Sequence, residues 1–303
     1  VHAEGYKSVT RTLHPKAGYS QQISIDLSPL TQSVVAAYRP KSQDGPEVTA
    51  AGQKLLLVRP STFTMGAPRR EPGRRANERE RKAVMKRPFY LSDKPVTNKE
   101  YRLFKAEHSS GTYKNLTLDG DNQPAVNISW EDAAAYLNWL SEKDNLQPFY
   151  VASGNTFAAA SPPTNGYRLP SEAEWAFSAR ILGQPSKTRF PWGNTFPPAR
   201  NSGNFADQSA RGVTVQTIQG FNDGFPVSSP VGSFPPNRGG FFDMGGNISE
   251  WCHDYYAADT STLKQEPDSL GPASGLHRVV RGSSWRDASV RELRLSYRAY
   301  QKN

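Results

Sequence analysis

The stretch 241–256, FFDMGGNISEWCHDYY, sets two acids, Asp243 and Glu250, on either side of a Gly245-Gly246 pair, just ahead of a tryptophan. The segment 278–298, RVVRGSSWRDASVRELRLSYR, completes it with an Arg-Gly-Ser-Ser-Trp turn and an arginine-rich tail. Read by themselves, Gly245-Gly246-Asn247 and the more distant Asn222-Asp223-Gly224 are loop and turn signals. What they hold depends on the chain around them.

That chain has 303 residues, enough to bury a substantial core. It carries 24 Gly and 24 Pro, yet also 6 Trp, 13 Tyr and 14 Phe. Disordered chains lack such aromatic content, so the composition describes a folded protein with little regular structure. Long ordered loops need extra fastening, and bound ions are one way to supply it.

The formal charge of +9 is unevenly spread: residues 69–87 hold seven Arg and two Lys against three Glu, a local excess of +6. Arg69, Arg70, Arg74 and Arg75 in this loop are the candidate contact for an acidic partner, nucleic acid or a membrane surface. The bland alternative is a solvated, mobile loop. No aromatic residues interleave the arginines, and no nucleic-acid motif lies nearby, so nucleic acid is not expected as a partner. The single cysteine, Cys252, allows neither an intrachain disulfide nor a thiolate cluster, and reads as a small buried hydrophobe. No apolar run approaches membrane-spanning length, and Val1 opens no signal peptide, as expected of a processed or trimmed chain.

Residues 1–50 read as an N-terminal β-hairpin segment, with alternating stretches at 9–13 and 22–27, followed by a linker through 41–49. Residues 51–303 read as one α+β domain. LLLVRPSTFTMG at 55–66 is a strand, a turn and a second strand; PFYLSDKPVTNKEYRLF at 88–104 is a strand and a helix capped by Thr97. In NISWEDAAAYLNWLSEKDN, Ser129 and Asp132 cap a helix whose apolar face is Trp130, Ala133, Ala134, Leu137 and Leu140. Ser171 and Glu174 form a capping box for a third helix that points Trp175 inward. From 184 to 240 there is almost no periodicity.

Taken in order, TFTMG (62–66), KPVTNKEY (94–101), PAVNISWEDAAAYLNWL (124–140), RLPSEAEWAFSAR (168–180), FPWGN (190–194), PVGSFPPNRGGFFDMGGNISEW (230–251) and RVVRGSSW (278–285) resemble the formylglycine-generating-enzyme, or sulfatase-modifying-factor, family. The resemblance covers about residues 54–300 and implies a C-type-lectin-related fold with sparse secondary structure. It also implies two structural Ca²⁺ sites. Asn204 and Asp223 side chains with the Phe205 and Phe225 carbonyls would form the first; Asp243 and Glu250 with the Gly246 and Ile248 carbonyls the second. Oxygen donors of this kind suit a hard cation.

In active members of the family, two cysteines five residues apart hold copper and engage a substrate cysteine, which O₂ then oxidises to an aldehyde. Here those positions fall on Asp287 and Glu292, while the pocket serine remains as Ser284 and the groove aromatic is replaced by Ser249. Carboxylates are poor ligands for Cu(I), so no copper and no aldehyde-forming activity are expected. Arg281, Arg286, Arg291, Arg294 and Arg298 are expected to surround Asp287 and Glu292 as structural ion pairs and keep both ionised. The histidines His2, His14, His108, His253 and His277 show no ligand spacing. The family's closing Gly-Phe-Arg strand is missing after the Tyr-Arg segment, so a closing strand is expected to be absent.

The leading expectation is a non-catalytic, calcium-stabilised, periplasmic module that binds and regulates another protein. A branch of the family acts upstream of the threonine-phosphorylation pathway of type VI secretion, where the partner is the periplasmic sensor region of a membrane kinase. The alternatives are an oxidative metalloenzyme of the same fold, with a transition metal near Ser284 and Asp287, and a calcium-dependent glycan-binding module.

Overall fold

Apolar alternation in this chain lasts only a few residues at a time, and its strands are correspondingly short. The computed structural model describes residues 45–302 apart from 155, 181–187 and 261–265. The chain divides into two compact units, Val1–Gln43 and Asp44–Asn303. The N-terminal hairpin expected at 9–27 lies outside the described residues.

In chain order the elements are β1 (Glu47–Val48), β2 (Lys54–Val58), β3 (Phe63–Met65), β4 (Arg81–Ala83), β5 (Phe89–Ser92), α1 (Asn98–Arg102), β6 (Thr112–Tyr113), β7 (Leu116–Thr117), α2 (Trp130–Lys143), β8 (Tyr150–Ser153), β9 (Thr156–Ala159), α3 (Glu172–Arg180), β10 (Glu250–Tyr255), β11 (His277–Arg281) and β12 (Ala299–Lys302). They form two three-stranded sheets, β1-β2-β5 and β10-β11-β12, and three hairpins, all antiparallel. Between α3 and β10 the described chain is irregular apart from a 3₁₀ turn at Gln208–Ala210 and isolated bridges. One expectation changes. Glu47–Val48, placed in the linker by sequence, pairs with β2. β12, directly after the Tyr-Arg segment, pairs with β11 from Ala299↔Val280 to His277↔Lys302; it contains no Gly-Phe-Arg.

Helix starts obey local chemistry. Thr97 with Glu100 and Ser129 with Asp132 make complete capping boxes, each joining a side-chain oxygen to an otherwise unpaired backbone N–H. Ser171 and Glu174 do the same for α3. On α2, Trp130, Ala134, Tyr136 and Leu140 are buried, while Ala133 and Leu137 are only half-buried.

α3 is buried almost all round, with Trp175, Ala176, Phe177 and Ala179 in a core that also takes Val58, Phe63, Met65, Phe241, Cys252, Val279 and Leu295. Burying a side chain such as Phe177 or Phe241 contributes roughly 1.5–3 kcal/mol. β10 alternates against this helix. Glu250 accepts the indole N–H of Trp175, Cys252 is wholly buried, and Asp254 accepts the backbone N–H of Glu172 at 2.7 Å. Its other face carries Trp251, bonded to the Ile128 carbonyl, and His253, 3.1 Å from the Tyr150 hydroxyl.

Candidate functional site

The glycine-rich turn brings the two expected oxygen-donor groups together. Gly246 has φ +105°, and a Cβ there would lie 2.8 Å from the Asn204 carbonyl oxygen and 2.7 Å from the Phe205 ring, so only glycine fits. Its neighbour Asn247 donates its backbone N–H to that carbonyl at 2.8 Å. The Asn247 side chain receives the Ser229 N–H at 3.0 Å and approaches the Asn204 amide at 3.4 Å. Loops 204–207 and 243–250 are therefore one unit.

Around Asn204, the side-chain nitrogen donates to the Val227 carbonyl at 2.8 Å, while Oδ1 is buried with no hydrogen-bond partner. Asp223 receives the N–H groups of Phe205 (2.9 Å) and Phe225 (2.8 Å) on its two oxygens, and the Asp207 side chain also approaches it. Burial pushes the Asp223 carboxyl up to about 7, with Asp207 adding like charge. Sequence reading missed Asp207, a wholly buried acid that accepts the Asp223 backbone N–H and those of Ser209 and Ala210. The Asp-x-Ser spacing of a turn was its only signal.

The second group is drier. Burial pushes Asp243 up to about 6 and Glu250 up to about 7, and the charge of Asp243 reinforces the Glu250 shift. Asp243 accepts the Gly232 N–H at 2.8 Å. An unpartnered amide oxygen beside one acid, and two mutually repelling buried acids in the other group, are donor sets suited to a cation. Among the described residues, no cluster of three or more His, Cys, Asp and Glu is arranged to hold a metal. Each expected calcium site draws on at most two carboxylates and would take its other donors from amide and backbone oxygens.

The turn expected to hold the vestigial pocket is tied off locally. Ser284 gives both its backbone N–H (2.7 Å) and its hydroxyl (2.9 Å) to one oxygen of Asp287. Five residues on, Ser289 donates its hydroxyl to Glu292 at 2.7 Å. The Asp287 carbonyl accepts the Ala206 N–H at 3.1 Å, joining this turn to the first donor group. Burial, with the nearby Glu292 carboxylate, raises the Asp287 carboxyl against the two Ser284 hydrogen bonds and the smaller effect of Arg286.

The expected arginine partnership is corrected. Arg281 and Arg298 bind Glu172, joined by Arg81, and Arg294 binds Glu71 and Glu78. Arg286 lies over the Tyr113 and Trp285 rings. These guanidinium groups answer fully buried carboxylates, whose desolvation demands a partner more than that of half-buried Asp287. The basic loop is corrected in part. Arg69 and Arg70 are exposed, but Arg74 is half-buried with Nε donating to the Ala67 carbonyl at 3.0 Å, and Arg75 lies over the Tyr297 ring. Cys252, the chain's single cysteine, has its thiol pushed well up by burial.

Short antiparallel sheets around a long irregular segment, closed by a Gly-Gly turn and a Gly-Ser-Ser-Trp turn, define a protein of the formylglycine-generating-enzyme fold. Residues 41–303 match the sulfatase-modifying factor enzyme 1-like domain, and the chain belongs to that family. It is 33% identical over 170 residues to a formylglycine-generating enzyme of Thermomonospora curvata, covering 55% of this chain and 46% of that protein. It is 30% identical over 252 residues to the inactive C-alpha-formylglycine-generating enzyme 2 of Mus musculus, covering 75% and 72%. It is 26% identical over 303 residues to the serine/threonine-protein kinase pkn1 of Chlamydia pneumoniae, covering 93% and 40%. A structure of PvdO from Pseudomonas aeruginosa shares the fold with a TM-score of 0.65 at 24% identity, covering 86% of this chain and 94% of that one. The chain thus spans less than half the length of the first and third of these relatives.

Proposed function

We propose that this chain is a non-catalytic family member, a calcium-stabilised module that binds and regulates another protein. The observation that carries this reading is the state of Asp287 and Glu292: each is hydrogen-bonded by a serine three residues before it. A carboxylate so held is a structural cap, and the soft Cu(I) chemistry of active members has no thiolate here to use. The similarity to a protein named as inactive supports the reading.

Calcium is proposed at the two groups described above. Asn204 and Asp223 with the Phe205 and Phe225 carbonyls would hold one ion; Asp243 and Glu250 with the Gly246 and Ile248 carbonyls the other. The ion would supply positive charge where buried carboxylates repel and would fasten two loops that lack regular structure. The location proposed is the periplasm, outside the cytoplasm, where even weak oxygen-donor sites can fill with calcium. The partner class we propose is the sensor region of a membrane kinase, as in the type VI secretion branch. The match to a protein named as a kinase is compatible with that class.

The test is direct. The purified chain is incubated aerobically with copper and a cysteine-bearing sulfatase peptide, and the peptide mass is followed alongside elemental analysis of the protein. No aldehyde product and calcium alone are expected. Aldehyde formation, or stoichiometric copper or iron, would overturn the reading.

A further inference from the structure

We infer that the loop 69–79 is a preformed docking surface for an acidic segment of a partner protein, anchored in the concavity lined by Arg69, Arg74 and Arg79. This rests on the partner-binding reading above and names the surface and the chemistry it recognises.

A run of charge is ordinarily a solvated face. Here the run is held. Arg294 lies beneath it, donating to the Gly73 carbonyl at 2.7 Å, to Glu71 at 2.9 Å and to both oxygens of Glu78 at 2.6 and 2.8 Å. Arg298 donates to the Asn77 carbonyl at 2.8 Å, and Asn77 donates to the Tyr256 hydroxyl at 2.7 Å. Gly73, at φ +83°, sits so close to Arg291 that a Cβ would lie 3.2 Å from its Cα. The loop is fixed from below along its length.

The fastening also sorts its charges. Glu71 and Glu78 are the two acids of 69–79, and both turn inward onto Arg294, with side chains 9% and 0% exposed. Within 69–79 the charge left outward is guanidinium; the next residue, Glu80, is an exposed acid at the rim and is outnumbered by the arginines. Arg69, Arg74 and Arg79, with Ala67, Ala76 and Glu80, enclose a concavity of about 500 Å³. Arg74 enters it with its Nε already committed to the Ala67 carbonyl, which leaves its terminal N–H groups for a ligand. Arg79 is engaged by Asp259 at 3.6 Å, with both side chains more than half exposed. Such a pair is weak and easily exchanged for another carboxylate.

Planar guanidinium groups around a recess favour two-point contact with carboxylates. A loop already ordered loses little freedom on binding, and its field steers an acidic segment toward it. The alanine walls offer no aromatic surface on which nucleotide bases could stack, so an acidic protein segment is the better fit.

The probe is a fluorescently labelled octaglutamate peptide, titrated by anisotropy onto the calcium-loaded full chain. The double variant Arg69→Glu/Arg79→Glu changes only exposed side chains and should weaken binding at least tenfold. Lys99→Glu/Lys143→Glu, with the same charge change on helices elsewhere, should shift it less than threefold. Equal losses in the two variants would reduce the effect to net charge and overturn the inference. So would duplex DNA or phosphatidylglycerol vesicles binding as well as the peptide with the same Arg69/Arg79 dependence. If the double variant melts early, Arg69→Gln replaces it, and unchanged peptide binding by that variant is equally fatal. Failure here without aldehyde formation removes only the docking surface; aldehyde formation with docking intact removes only the non-catalytic reading.

Discussion

Arg294 and Glu78 lie 216 residues apart and meet in a two-point ion pair with both side chains fully buried. The contact joins the arginine tail of the family's active-site segment to the basic loop. Nothing in either local sequence announces it. A buried pair gains little over a well-packed apolar pair, but breaking it strands a charge.

Arg294→Met should therefore cost about 3–5 kcal/mol, and Glu78→Gln a similar amount. Backbone amides of residues 67–79 should exchange faster in both variants, by hydrogen–deuterium exchange mass spectrometry. Unchanged exchange would show that Arg294 does not hold the loop.

Glu172 is the second hub. Burial opposes its ionisation, yet Arg298, Arg281 and Arg81 together bring its carboxyl down to about 2. A depressed folded-state pKa gives stability that is present above the ordinary carboxylate value near 4.5 and is lost as pH falls toward 2. The urea midpoint should drop steeply across that window. Glu172→Gln should flatten the drop and cost about 3–5 kcal/mol at neutral pH by leaving buried arginines unpaired. A wild-type midpoint that stays level from pH 4.5 to 2.5 would contradict this.

The proposed calcium groups act with the opposite sign. Asp223 is raised to about 7, Asp243 to about 6 and Glu250 to about 7, in each case first by burial. Raised carboxyls favour the folded state below their ordinary pKa, and that contribution is lost as pH climbs to the folded value. Metal-free protein should thus lose stability between roughly pH 4 and 7. Calcium at one hundred times its Kd should restore about 2.7 kcal/mol at pH 7.5. That corresponds to a rise in Tm of about 5–10 °C, and much less at pH 5, where protons compete. Asp243→Asn with Glu250→Gln should shrink the calcium increment. An identical Tm in calcium and in EDTA at pH 7.5 would remove the proposal.

Ser284→Ala removes the hydroxyl that caps Asp287 and should cost about 0.5–2 kcal/mol, as for other caps. Asp287→Ala should cost as much, since the Ser284 N–H also loses its acceptor. Calcium response should stay as in the parent chain, by differential scanning fluorimetry. A neutral result for both would show that the turn does not depend on this bond.

Much of the fold was legible because its signals are local. The capping pairs Thr97–Glu100, Ser129–Asp132 and Ser171–Glu174 lie three residues apart, and each starts the helix it announces. Gly246 and its neighbours marked the loop that brings the two donor groups together. The partners of long, charged side chains were not legible. Proximity in sequence pairs Arg281, Arg294 and Arg298 with Asp287 and Glu292, but they bind Glu172, Glu71 and Glu78 instead. The acids at 287 and 292 had nearer partners in Ser284 and Ser289, while the deeper acids could be satisfied only by arginine. Local hydrogen-bond chemistry and turn geometry reside in the sequence itself. Which buried charge meets which counter-charge is decided by desolvation, after tertiary packing has determined what is buried.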